Sequence, residues 1–176
     1  MGSNVGYREP TIYGGGLILL YDSRKFSSCR LLNIPTETFY NISVRLSYGT
    51  QQSYNVISIY RKPGYAGLAF REEFYAVLKT MRKRKSILII GGDMNIRVER
   101  LAEPTTAKFL EILAEHDMRQ YTCCETQNQE GTIDLCIMKN YTDLEVTVTD
   151  VPDTDHLSFP VYTTHTRCLW LPDLFT

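Results

Sequence analysis

The sequence predicts an α/β domain: a sandwich of two packed mixed β-sheets flanked by helices, four layers of α+β type in all. Three observations predict it. Roughly seven strand-like segments are spread over 176 residues, more than one small open sheet holds. Two further segments, about 68–82 and 104–116, carry apolar residues at helical spacing. Finally, 54–91 has the length and order of a strand–helix–strand crossover between parallel strands.

The elements follow in chain order. "GGGLILLY" (14–21) reads as a strand entered through glycines. "YNISVRLS" (40–47) alternates, with Ile42, Val44 and Leu46 on one face and Asn41, Ser43 and Arg45 on the other, which marks a half-buried strand. "YNVISIY" (54–60) is its expected hairpin partner across "YGTQQ". Pro63 and two glycines mark a loop, and the helix after it buries Phe70, Phe74, Val77, Leu78 and Met81. The basic run "RKRK" (82–85) closes that helix. Cations there suit the helix macrodipole, and a nuclear-import signal or a DNA-binding patch is the alternative. "SILIIGGDMNI" (86–96) starts as a fully buried strand and breaks at two glycines. Pro104 suits the first residue of the second helix, which buries Phe109, Leu110 and Leu113. "GTIDLCIM" (131–138), "LEVTVTD" (144–150) and "LSFPVYT" (157–163) read as strands, with Pro160 pushing the last toward an edge or a bulge.

Composition narrows the classes. With 43% hydrophobic residues and no repeat or low-complexity segment, the chain reads as one globular domain over 1–164 and an unassigned tail over 165–176. Nineteen basic against twenty acidic residues give a net charge of -1, so any nucleic-acid contact needs a local patch. No apolar run approaches the ~20 residues that span a bilayer, and the N-terminus lacks a signal-peptide core, so the expectation is an intracellular protein, nuclear or cytoplasmic, neither secreted nor membrane-bound. The five cysteines (29, 123, 124, 136, 168) are an odd set without CxxC spacing and read as free thiols of a reducing compartment.

Three acidic positions interrupt or end apolar strands. Asp93 and Asn95 follow Ile90-Gly91-Gly92, spaced to share one side of an extended chain. Asp134 lies inside "TIDLCI", opposite the face of Ile133, Leu135 and Ile137, and Asp155-His156 precedes the last strand. An acid in a strand interior is costly unless paired or metal-bound, so Asp134 needs a partner such as a histidine. Each position alone has a bland reading: "GGDMN" as an Asx turn, "DTDH" as a polar loop. Their combination points to a site.

These motifs resemble the endonuclease/exonuclease/phosphatase superfamily, the deoxyribonuclease I-like and apurinic-endonuclease-like proteins. "IIGGDMNI" is similar to its GD[FLM]N motif, "GTIDLCIM" to its [TR]-x-D strand, "DTDHLSFPV" to its SDHxxV motif, and "SIYRKPG" to its [VI]Y-x-P segment. The finer resemblance is to the endonuclease domains of LINE-type (non-LTR) retrotransposons, through "GGGLIL", "IYRKPG", "FLEILAEHDMRQY" and "EGTIDL" in that order. The resemblance implies a metal-dependent DNA-nicking phosphodiesterase, using Mg2+ or Mn2+, acting on the DNA phosphate backbone, with a reverse-transcriptase domain as partner in a full-length element. It assigns Asp93 to activating the attacking water, His156 to acid/base or charge-stabilising work, and Asp134 to orienting His156. Asn95 and Tyr60 hold the phosphate, Arg61 and Thr154 add substrate contacts, and Asp155 with Asp93 belongs to the metal site. RNA or phosphoinositide phosphoesterase chemistry on the same core is the first alternative; an inactive binding remnant of the domain is the second.

The likeness runs from about Gly6 to Tyr162, which implies a family domain without its first strands and without the glutamate that follows them as a metal ligand. Glu9 and Glu37 do not match that position. Thr154 stands where the family motif has serine, keeping the hydroxyl.

Overall fold

The computed structural model describes residues 3–8, 17–50, 52–64, 67–82, 86–122, 131–139, 144–146, 149–150, 157–163 and 166–172. The early strands are β1 (Ser3–Arg8), β2 (Leu17–Asp22), β3 (Ser28–Leu31), β4 (Tyr40–Tyr48) and β5 (Gln52–Tyr60). Helix α1 (Leu68–Arg82), β6 (Ile87–Asp93), α2 (Pro104–Glu115), β7 (Met118–Gln120) and β8 (Asp134–Lys139) follow. The chain closes with β9 (Leu144–Val146), β10 (Thr149–Asp150), β11 (Leu157–Thr163) and β12 (Thr166–Pro172).

They form two six-stranded sheets. The first is antiparallel, in the order β1-β2-β12-β11-β10, with β9 also on β11. The second has the order β3-β4-β5-β6-β8-β7 and is mixed, because β5 and β6 run parallel and every other pair is antiparallel. That parallel pair, joined through α1, is the expected crossover, and β4–β5 is the expected hairpin.

Strand alternation divides the second sheet's side chains between two cores. On one face, Ile42, Val44 and Leu46 of β4, Val56 of β5, Ile89 of β6 and Cys136 and Met138 of β8 meet Leu17, Leu19 and Tyr21 of β2, which packs the sheets together. Phe26 closes one end of that space, making edge-on ring contacts with Tyr21, Tyr48 and Tyr54. On the other face, Ile57, Ile59, Ile90, Leu135 and Ile137 bury against Phe70, Phe74, Val77, Leu78 and Met81 of α1 and Phe109 and Leu113 of α2. Burying each such side chain contributes about 1.5–3 kcal/mol. Both helices cover the same sheet, so the described residues form three layers, sheet–sheet–helix; no helix among them covers the first sheet.

Several elements differ from expectation. β11 is interior, not an edge: it pairs with β12 on one side and with β9 and β10 on the other. The expected tail contributes β12, which lies between β2 and β11 and joins the β1–β2 hairpin to the rest of its sheet. Cys29 and Cys136 are free thiols, one exposed and one buried. Residues 83–85 of the basic run, Cys123 and Cys124 lie outside the described residues. No helix among the described residues is long and apolar enough to cross a membrane.

Because β12 bridges two strands, a chain ending at residue 164 should lose the β2 connection and melt at least ~10 °C lower. A thermal scan by circular dichroism checks this; an unchanged midpoint would show the tail to be dispensable.

Candidate active site

The parallel strands β5 and β6 end level with one another, Tyr60 beside Asp93. β8 begins at Asp134, opposite Asp93, and β4 begins at Tyr40, opposite Tyr60. Tyr40, Tyr60, Asp93 and Asp134 therefore form one row across four adjacent strands. Residues in register project from the same face, here the face toward the first sheet. The row sits at the carboxyl ends of the parallel strands, the usual place for ligands in such sheets. Asp93 is 6% exposed and Asp134 fully buried.

Local sequence explains how the β6 end is shaped. β6 does not break at the two glycines but runs through them, paired with β5 and β8 as far as Asp93, and Gly92 within it has φ of 137°. Side chains rarely adopt that value, so glycine is required there. Asn95 is left-handed, at φ of 48°, a conformation asparagine tolerates better than most residues. Its backbone N–H donates to Asp93 Oδ1 at 2.8 Å and its side-chain Nδ2 to Asp93 Oδ2 at 2.8 Å. Asn95 Nδ2 also donates to the Arg61 carbonyl at 2.6 Å. Two oxygen acceptors around Nδ2 fix the amide's orientation, since the flipped amide would set oxygen against oxygen. The Asx turn and the site are thus the same object: the turn is what holds the Asp93 carboxylate. Met94 N–H donates to the Ile133 carbonyl at 2.9 Å, tying the turn to the start of β8.

Two residues expected to contact substrate have protein partners in the structure. Asn95 was expected to hold a phosphate, but both hydrogens of its amide are committed to Asp93 and the Arg61 carbonyl. Arg61 was expected to contact substrate, but it is 1% exposed. Its Nε donates to the Met94 carbonyl, Nη2 to the Asn95 carbonyl at 2.6 Å, and the guanidinium lies 5.2 Å from the Phe70 ring centre. Burial lowers its pKa from the ordinary arginine value, and the nearby Asp93 carboxylate opposes that shift. Arginine stays protonated in proteins, so a fixed positive charge lies under the turn.

Tyr60 is half-buried and stacks on Tyr40, ring centres 6.2 Å apart and 12° from parallel. Lys62 Nζ lies 5.4 Å above the Tyr40 ring. Tyr40 and Lys62 carried no signal in the sequence, because the row becomes visible only with the strand register. Thr154, Asp155 and His156 lie outside the described residues; in the chain they directly precede β11.

The donor chemistry suits a hard divalent cation. Asp93 presents a carboxylate oxygen of the kind Mg2+ takes, and Mg2+ is commonly held by only one or two carboxylates with water and phosphate completing its shell. Among the described residues no group of three or more His, Cys, Asp or Glu side chains is placed to hold a metal.

Comparison with solved structures places this architecture. The endonuclease domain of TRAS1, a telomere-specific non-LTR retrotransposon, superposes with a TM-score of 0.69 at 14% identity, covering 97% of this chain and 78% of that one. The chain has the endonuclease/exonuclease/phosphatase fold. A protein of that family from Bacteroides thetaiotaomicron superposes at 0.54, with 11% identity over 99% of this chain and 77% of that one. A mannosyl-6-phosphatase from Bacteroides thetaiotaomicron superposes at 0.51, with 11% identity over 98% and 78%. No protein-family model matches the sequence, and no curated protein matches it significantly. The family resemblance carried by the motifs thus holds at the level of the fold, including the likeness to a LINE-type endonuclease domain.

Replacing Asn95 by alanine removes a donor to Asp93 and strains the left-handed backbone. Asn95→Ala should lose ~1–3 kcal/mol in urea denaturation while keeping its far-ultraviolet spectrum. A loss below ~0.3 kcal/mol would mean that the turn does not depend on this side chain.

Proposed function

We propose that the chain is a divalent-metal-dependent phosphodiester hydrolase of endonuclease type, which nicks DNA and derives from a LINE-type retrotransposon. The observation that carries this reading is the registered row of Tyr60, Asp93 and Asp134 at the carboxyl ends of β5 and β6. Its support is the fold shared with the TRAS1 endonuclease domain over 97% of the chain.

In the proposed reaction, Asp93 accepts a proton from a water whose oxygen forms a bond to phosphorus, while the bond from phosphorus to the leaving sugar oxygen breaks. Asn95 fills two of the roughly four lone-pair positions of the Asp93 carboxylate and so sets the direction of the rest. The Tyr60 hydroxyl donates to a non-bridging phosphate oxygen. His156, oriented by Asp134, protonates the leaving oxygen; a histidine held by a carboxylate is suited to that exchange near neutral pH. Asp93 and Asp155 would hold Mg2+ or Mn2+, which neutralises charge developing on the phosphate oxygens. The implied partner is the DNA phosphate backbone, with a reverse transcriptase in a full-length element.

A second reading is a folded remnant that binds without hydrolysing. Nicking of supercoiled plasmid in Mg2+ separates the two. The hydrolase reading expects relaxed circles from the unsubstituted chain, none in EDTA, and a fall of at least ~10²-fold for both Asp93→Asn and His156→Ala. Plasmid that is bound but never nicked supports the remnant. Phosphate release from phosphomonoesters without nicking would move the chain to the phosphatases of this fold.

A further inference from the structure

Arg61 is the one buried lysine or arginine among the described residues, and it lies directly beneath the candidate site. We infer that Arg61 is the positioning residue of this site, holding Asn95 left-handed from below and thereby aiming the Asp93 carboxylate. For its catalytic consequence the inference rests on the hydrolase reading; its geometry stands independently.

The geometry is a closed circuit between two strand ends. Arg61 N–H donates to the Asp93 carbonyl at 2.9 Å, and the Arg61 carbonyl accepts from Asn95 Nδ2. The guanidinium returns across the turn to the carbonyls of Met94 and Asn95. Those two carbonyls flank the φ and ψ of Asn95. In extended chain, successive carbonyls point in opposite directions; a left-handed residue between them turns both to one side. One planar fork can therefore donate to both while Asn95 is left-handed, and not when it is extended. Asn95 donates to both oxygens of Asp93, one through its backbone and one through its side chain, so its backbone conformation sets where the carboxylate points.

Phe70 explains why the fork stays in place. It is fully buried on α1, stacks on Phe74, and lies against the guanidinium. The crossover helix thus braces the cation that braces the turn. Lysine, a point charge on a flexible stem, cannot span both carbonyls with fixed geometry. A guanidinium with 1% exposure has no route to a phosphate without opening this packing.

The test compares the unsubstituted chain with Arg61→Lys and Arg61→Met, reading kcat and KM for plasmid nicking and hydrogen exchange of the Asn95 side-chain amide by NMR. A positioning role lowers kcat about 10²-fold in Arg61→Lys with KM within about twofold, because a small misplacement of a reacting group costs that much. It also speeds Asn95 amide exchange by at least ~10-fold while amides of Ile89 and Ile90 keep their protection. A raised KM with unchanged kcat would overturn the inference in favour of a phosphate contact, and so would Asn95 exchange that does not change. If both variants fail to fold, the unsubstituted chain decides: slow exchange of the Arg61 Nε proton supports the circuit, and exchange at the solvent rate overturns it. If the unsubstituted chain hydrolyses nothing, the hydrolase reading falls, while the Asn95 and Arg61 exchange rates still test the positioning role.

Discussion

Two buried carboxylates, Asp93 and Asp134, face each other across neighbouring strands, and the architecture of the site depends on how they are tolerated. Side chains so paired have Cβ atoms ~5 Å apart, and two unit charges at that distance repel by about 3 kcal/mol at an effective dielectric of 20. Fold stability alone would select against the pair. The buried guanidinium of Arg61 lies close enough to Asp93 to offset part of that repulsion. A bound divalent cation or a protonated histidine beside the pair would offset more of it.

The rest of the fold serves that row. Ending β5 and β6 at one level requires the parallel crossover, and the crossover requires α1 to pack on the sheet through Phe70, Phe74 and Leu78. One of those residues, Phe70, also contacts Arg61, and Met94 and Ile96 of the turn itself are buried in the same core. At the far end of the inter-sheet space the Phe26 cluster closes the core, while the polar row lies at the opposite ends of β5 and β6.

Much of this was legible in the sequence wherever one face of an element is buried. Helix α1 was read to its observed ends, and β4 and β5 within two residues, because alternation and helical spacing record burial. Asp93 and Asp134 stood out as acids in apolar strands. What escaped lacks that record. β3 is an exposed edge strand, β7 has three residues, and β1 shows no alternation. β12 follows a stretch with no turn signal, and its place between β2 and β11 is a matter of long-range pairing. The same limit applies to the directions of Arg61 and Asn95. That Arg61 points into the protein, and that the Asn95 amide faces Asp93, are facts of three-dimensional direction, whereas a motif records only residue type and order.

The most direct test of the carboxylate row is to titrate the protein with Mn2+ and follow paramagnetic broadening by NMR. The account predicts one bound ion, broadening that centres on Tyr60, Asp93 and Asp134, and loss of that broadening in Asp93→Asn. Broadening centred elsewhere, or unchanged by the substitution, would contradict the claim that this row is the reaction centre.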